Sequence, residues 1–130
     1  MSATILLIED NEQNRYLTTF LLEREGYRIV PATDGATGIS TAQALSPDLI
    51  LLDIQLPRMD GYAVARALRA IEGLRDVPII AVTSYAMAGD REKALEAGCI
   101  GCLEKPINPD TFVADVVSFQ PAGTSGDGTT

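Results

Sequence analysis

Asp48-Leu49-Ile50-Leu51-Leu52-Asp53-Ile54-Gln55-Leu56-Pro57 is the stretch whose reading decides the fold. Leu49 to Leu52 form a continuous apolar run rather than an alternating one, as expected for a strand covered on both faces of a parallel sheet. Ile5-Leu6-Leu7-Ile8 and Ile79-Ile80-Ala81-Val82 have the same character. A weaker run from Arg28 to Ala32 and a short one around Gly101 to Leu103 complete five candidate strands.

Amphipathic stretches lie between these runs. Leu17, Phe20 and Leu21 share one face of the first, and Val64, Leu68 and Ile71 share one face of the third. Gly26 and Gly98 fall where helix C-terminal caps belong, while Asp60, and Asn108 followed by Pro109, suit helix starts. The chain therefore reads as β-α repeated five times, an α/β fold. Right-handed crossovers would join such strands into one parallel sheet with helices on both sides, and ligands of such sheets bind beyond the strand C-terminal ends. From Gln120 to Thr130 the chain is rich in Gly, Ser and Thr and has no apolar stripe, so residues 120–130 are expected to be a disordered tail or a linker stub.

Composition narrows the function. A chain of 130 residues, 46% hydrophobic, has the length of one compact domain. Its formal net charge of -8 opposes approach to nucleic-acid phosphates or an anionic membrane, so protein partners are expected and direct nucleic-acid binding is not. Met1-Ser2-Ala3-Thr4 carries no basic region before the first apolar run, and that run stops at Glu9. This argues against a signal peptide and a membrane span, and makes a cytoplasmic protein the expectation. The absence of histidine excludes His-based triads, imidazole zinc sites and an internal phosphohistidine.

The strand ends carry the chemistry. The first run leads into Glu9-Asp10, the third into Asp53, the fourth into Thr83-Ser84 and the fifth into Glu104-Lys105-Pro106. A parallel sheet would bring these groups to one edge. Three neighbouring carboxylates repel one another, and a hard divalent cation is the usual remedy. Magnesium suits a shallow carboxylate site because it takes oxygen ligands and keeps waters, whereas calcium wants more protein oxygens. With a metal on Glu9, Asp10 and Asp53, the other Asp53 oxygen is placed to attack a phosphoryl group. Lys105, Thr83 and nearby backbone N–H groups would stabilise the charge on the transferring oxygens.

These residues carry a resemblance. Glu9-Asp10, the stretch from Asp48 to Pro57, Met59-Asp60-Gly61, Thr83 and Lys105-Pro106, in this order and spacing, resemble the receiver domain of two-component response regulators over residues 3–119. The resemblance implies a flavodoxin-like (βα)5 three-layer sandwich with strand order 2-1-3-4-5. It also implies Asp53 as phosphoacceptor assisted by Thr83 and Lys105, and magnesium on Glu9, Asp10, Asp53 and the backbone carbonyl of Gln55. The side chains of Gln55 and Tyr85 are then expected to tune dephosphorylation, and Lys105-Pro106 is a candidate cis peptide. A switch of this kind is not an enzyme in the ordinary sense.

Implied partners are a sensor histidine kinase or histidine phosphotransfer protein upstream and a protein target downstream, with the chain a monomer or a phosphorylation-linked dimer. Glu9 to Asn14 and Ala81 to Asp90 are similar to single-domain regulators of the DivK kind, and receivers of hybrid histidine kinases resemble them too. One position departs from the family. Cys102 stands where a Tyr or Phe usually turns inward, so the Thr83 loop would move toward the phosphate without a following ring rotation, and Tyr85 is the other aromatic candidate.

The same residues admit other readings. Glu9-Asp10 could cap the first helix, and Thr83-Ser84 could be a plain strand end. Cys99-Ile-Gly-Cys102 has the spacing of a redox pair, but it follows a helix and leads into a strand, where nothing lowers a thiol pKa. A flavodoxin-like electron carrier shares the strand plan, yet Glu9-Asp10-Asn11 would repel a flavin phosphate. An aspartate-dependent phosphatase wants a second Asp where Gln55 stands, and a pseudo-receiver need not have kept every group.

Overall fold

The computed structural model describes residues 3–56, 59–84 and 88–118, leaving out the side chains of Ala88 and Asp90. Strands β1 (Thr4–Ile8), β2 (Arg28–Ala32), β3 (Leu49–Asp53), β4 (Ile79–Thr83) and β5 (Gly101–Glu104) alternate with helices α1 (Glu12–Glu23), α2 (Gly35–Leu45), α3 (Gly61–Ala70), α4 (Ala88–Glu96) and α5 (Phe112–Ser118). A 3-10 turn, Glu72–Leu74, follows α3. The strands form one parallel sheet in the order β2-β1-β3-β4-β5. This is the flavodoxin-like order, with its topological switch between β1 and β3.

Side-chain alternation along the central strands divides the core in two. Leu6, Ile8, Ile50, Leu52, Ile79 and Ala81 pack with Val64, Leu68, Ala94 and Ala97 beneath α3 and α4. Ile5, Leu7, Leu49, Leu51 and Ile80 point the other way, against Leu21, Leu22, Phe112 and Val116 of α1 and α5. Both faces of the sheet are therefore dry, which is why β3 and β4 show no polar alternation and every residue in them is buried.

Punctuation follows local chemistry. Gly26 and Gly98 hold φ of 95° and 106°, as the helix-end reading requires. The Asp60 side chain accepts from Tyr62 N–H and caps α3. Two expectations need correcting. Phe20 is 49% exposed rather than part of the core face of α1: it stacks with Tyr16 at 6.5 Å, and the Arg24 guanidinium lies 5.6 Å from its ring centre. Asn108 opens a turn rather than α5 itself, its side chain accepting from Asp110 N–H at 2.9 Å before the helix begins at Phe112.

Candidate functional site

Where the strands end, the sheet assembles its polar cluster. A last bond of the β1–β2 ladder, from Glu9 N–H to Ala32 O at 2.9 Å, carries Glu9 to the rim. Asp53 and Thr83 are the final residues of β3 and β4, and Lys105 follows β5 with its N–H donating to Thr83 O at 2.8 Å. Glu9, Asp53 and Thr83 are all buried, whereas Asp10 is exposed. Buried polar groups at a sheet edge demand partners, and Glu9 and Asp53 find them in the Lys105 ammonium and in backbone N–H groups of the loops that follow.

Lys105 Nζ lies 3.1 Å from Asp53 Oδ2 and 3.3 Å from Glu9 Oε1. The other Asp53 oxygen, Oδ1, accepts from Gln55 N–H at 2.9 Å, and Glu9 Oε2 accepts from Asn11 N–H at 3.1 Å. Burial, reinforced by the neighbouring Asp53 charge, pushes the Glu9 carboxyl up from 4.5 to about 7, against the opposing pull of Asn11 N–H and the Lys105 ammonium. The cluster thus carries more carboxylate than one ammonium can balance.

One carboxylate oxygen from each of Glu9, Asp10 and Asp53 lies within 4.8 Å of the others. Three hard oxygen donors on one open rim fit a small divalent cation that keeps part of its water shell. Asn11, not Glu9 or Asp10, caps α1, accepting from Asn14 N–H at 2.8 Å. The acidic pair is therefore not spent on the helix.

Three supports were not foreseen in the sequence. The Arg15 guanidinium donates to Glu9 O at 3.0 Å and Asp10 O at 3.2 Å, gripping the acidic loop from α1. Gln55 Oε1 accepts from Ser84 N–H at 2.8 Å, tying the segment after β3 to that after β4. Gly61 brings the start of α3 back against the residue after Asp53, where a Cβ would stand 2.4 Å from Ile54 Cα. Arg15 sits one turn into α1, a position visible in the sequence, but the reach of its side chain is not.

The remaining expectations divide. Lys105–Pro106 is cis. Glu104 is exposed, and Cys102 is half-buried against the α3–α4 side of the core. Cys99 and Cys102 are not joined in a disulfide, and burial pushes the Cys99 thiol up to about 12, opposite to what a redox thiol needs. Tyr85 and Pro57 lie outside the described residues.

Residues 5–117 match the response regulator receiver domain. The chain belongs to that family. This receiver is 39% identical over 119 residues to the polar-differentiation response regulator DivK of Brucella ovis, with 92% of this chain and 97% of DivK covered. Its structure superimposes on that of the chemotaxis response regulator CheY4 of Vibrio cholerae with a TM-score of 0.88 at 26% identity, covering 92% of this chain and 99% of that one. The receiver domain of a sensor histidine kinase from Pseudomonas aeruginosa, solved with a magnesium ion coordinated in its active site cleft, gives a TM-score of 0.82 at 38% identity, over 92% of this chain and 98% of that one. Family membership makes the chain a phosphoacceptor switch and removes the electron-carrier reading. Among the described residues, no helix is long and apolar enough to cross a membrane.

Proposed function

We propose that this receiver takes a phosphoryl group onto Asp53 in a magnesium-dependent reaction and uses it to control binding of a protein target. The observation that supports the reading best is the meeting of three strand ends, with Lys105 Nζ 3.1 Å from buried Asp53 and 3.3 Å from buried Glu9. An Asp53 carboxylate oxygen attacks phosphorus, and its new O–P bond forms as the donor's N–P bond (phosphohistidine) or O–P bond (acetyl phosphate) breaks. The bonding electron pair leaves with the donor atom, and a departing imidazole takes its proton from water.

Glu9, Asp10, Asp53 and the Gln55 carbonyl would hold a magnesium ion, which when bound neutralises charge on the transferring oxygens. Lys105 faces the same space and follows that charge as it develops, while the Thr83 hydroxyl donates from the end of β4. Arg15 and Asn11 N–H keep the acidic loop in place during transfer. A full shift of a two-state equilibrium needs about 5.5 kcal/mol, within reach of a few charge-assisted hydrogen bonds.

In this reading the chain works in the cytoplasm as a monomer or a phosphorylation-linked dimer, a sensor histidine kinase or histidine phosphotransfer protein supplies the group, and no nucleic acid is bound. Residues 3–119 form the working domain and 120–130 a tail or linker. Intact-mass measurement after incubation with acetyl phosphate tests it: a one-phosphoryl increment is expected with magnesium, lost with chelator and lost in Asp53→Ala. An increment undiminished in Asp53→Ala overturns the assignment. The 38% identity to a histidine-kinase receiver favours a second reading, a module of a hybrid kinase. A reading frame continuing past Thr130 into kinase sequence would select it.

A further inference from the structure

The loop after β4 is tied down at two successive residues. Thr83 O accepts from Lys105 N–H at 2.8 Å, the last bond between β4 and the chain beyond β5. One residue on, Ser84 N–H turns to a side chain instead and donates to Gln55 Oε1 at 2.8 Å. Gln55 is itself anchored to the reactive carboxylate, because its own N–H donates to Asp53 Oδ1 at 2.9 Å. Two hydrogen bonds thus run from Asp53 through Gln55 to the mouth of the β4–α4 connection.

We infer that Gln55 is a positioning residue that latches the unphosphorylated state, its amide oxygen occupying the Ser84 N–H that a phosphoryl group on Asp53 would otherwise recruit. The inference rests on the phosphoacceptor reading and adds a regulatory role to that site. A charged phosphoryl oxygen is a stronger acceptor than a neutral amide, by roughly a factor of two for each hydrogen bond. The group can therefore capture Ser84 N–H, but only by breaking the bond to Gln55. Gln55 sets the threshold for moving the loop.

Length and chemistry both matter for this role. Methionine matches glutamine in reach and bulk yet offers no comparable acceptor, so Gln55→Met separates latching from padding. Beryllofluoride with magnesium serves as the probe, titrated by two-dimensional amide NMR. Gln55→Met is expected to bind it about 2- to 10-fold more tightly than the wild type, the range set by one neutral hydrogen bond. Its Ser84 amide proton should move upfield before any beryllofluoride is added. Gln55→Glu restores an acceptor and should keep Ser84 N–H bonded, with binding no tighter than wild type.

Equal affinity for wild type and Gln55→Met overturns the latch and leaves the phosphoacceptor reading intact. Tighter binding by Gln55→Met and Gln55→Glu alike also overturns it, since bulk or flexibility would then be the cause. No magnesium-dependent response in the wild type, with the same silence in Asp53→Asn, overturns the phosphoacceptor reading and the latch with it.

Discussion

Two cations at opposite ends of the sheet are satisfied in different ways. Lys105, at the rim where the strands finish, faces the carboxylates of Glu9 and Asp53. Arg69 lies at the other end, beside the segments that lead into β4 and β5. Its Nε and Nη2 donate to Gly98 O at 3.0 and 2.6 Å, and its Nη1 to Leu74 O, Arg75 O and Val77 O at 3.0, 3.0 and 2.7 Å. Backbone carbonyls neither titrate nor leave, so the Arg69 end has one satisfied arrangement. Carboxylates titrate, and three of them stand beside one ammonium, so under the proposed function a divalent cation or a phosphoryl group would change how the Lys105 end is satisfied. The Arg69 end of the molecule is held by dipoles, and the Lys105 end by ions.

The sharpest way to break that contrast is to remove each cation. Lys105→Met should slow phosphorylation by acetyl phosphate by about 100-fold or more while the cooperative thermal transition persists. Arg69→Met should do the reverse. It leaves several carbonyls without donors and should cost about 2–3 kcal/mol of stability in urea unfolding, yet leave the response to beryllofluoride within a few-fold of wild type. Should the two variants lose stability and activity in the same proportions, the division of labour between the rims is wrong.

Gly61→Ala probes how tightly packing supports the ionic end. The added Cβ meets Ile54 Cα at 2.4 Å, and backbone cannot swing aside as a side chain can. A loss of about 1–3 kcal/mol is expected, together with weaker magnesium binding by calorimetry, because the loop that must move begins at Asp53. Loss of stability with unchanged magnesium affinity would show that the loop and the carboxylates are independent.

A titration sharpens the picture further. The Glu9 carboxyl is raised from 4.5 to about 7 in the folded, metal-free protein. Its contribution to stability is therefore complete below pH 4.5 and is lost as pH rises through 7. Melting temperatures of wild type and Glu9→Gln, compared in chelator, should diverge across that window in favour of Glu9→Gln, and added magnesium should close the gap. The smallest effect belongs to the other rim. With Cys99 buried and raised to about 12, alkylation at pH 8 should reach it only after denaturant is added, and its stabilising contribution should fade only as pH climbs from 9 toward 12. Rapid modification of Cys99 in the native protein would mean that this end opens as readily as the first.

Most of the plan was legible in the chain. Continuous runs such as Leu49 to Leu52 announced strands buried on both faces, Gly26 and Gly98 marked helix ends, and strand ends named Glu9, Asp10, Asp53, Thr83 and Lys105 as neighbours. Phe20 misled because its spacing matches the core face, and only packing shows that Leu21 and Leu22 fill that space and leave Phe20 to stack on Tyr16. Asn108 misled because a cap residue and a turn residue present the same side chain to the backbone.

Periodicity and the order of polar residues determined the sheet, its two dry faces and the identity of the ions at its rim, because burial on both sides leaves chemistry nowhere to go but the strand ends. Tertiary structure alone decided which groups touch: Arg15 on the acidic loop, Gln55 on Ser84, Gly61 against Ile54, Arg69 among its carbonyls. Those contacts join residues whose spacing along the chain says nothing of their distance in space. They depend on where long side chains reach and how closely backbones approach once the helices have docked.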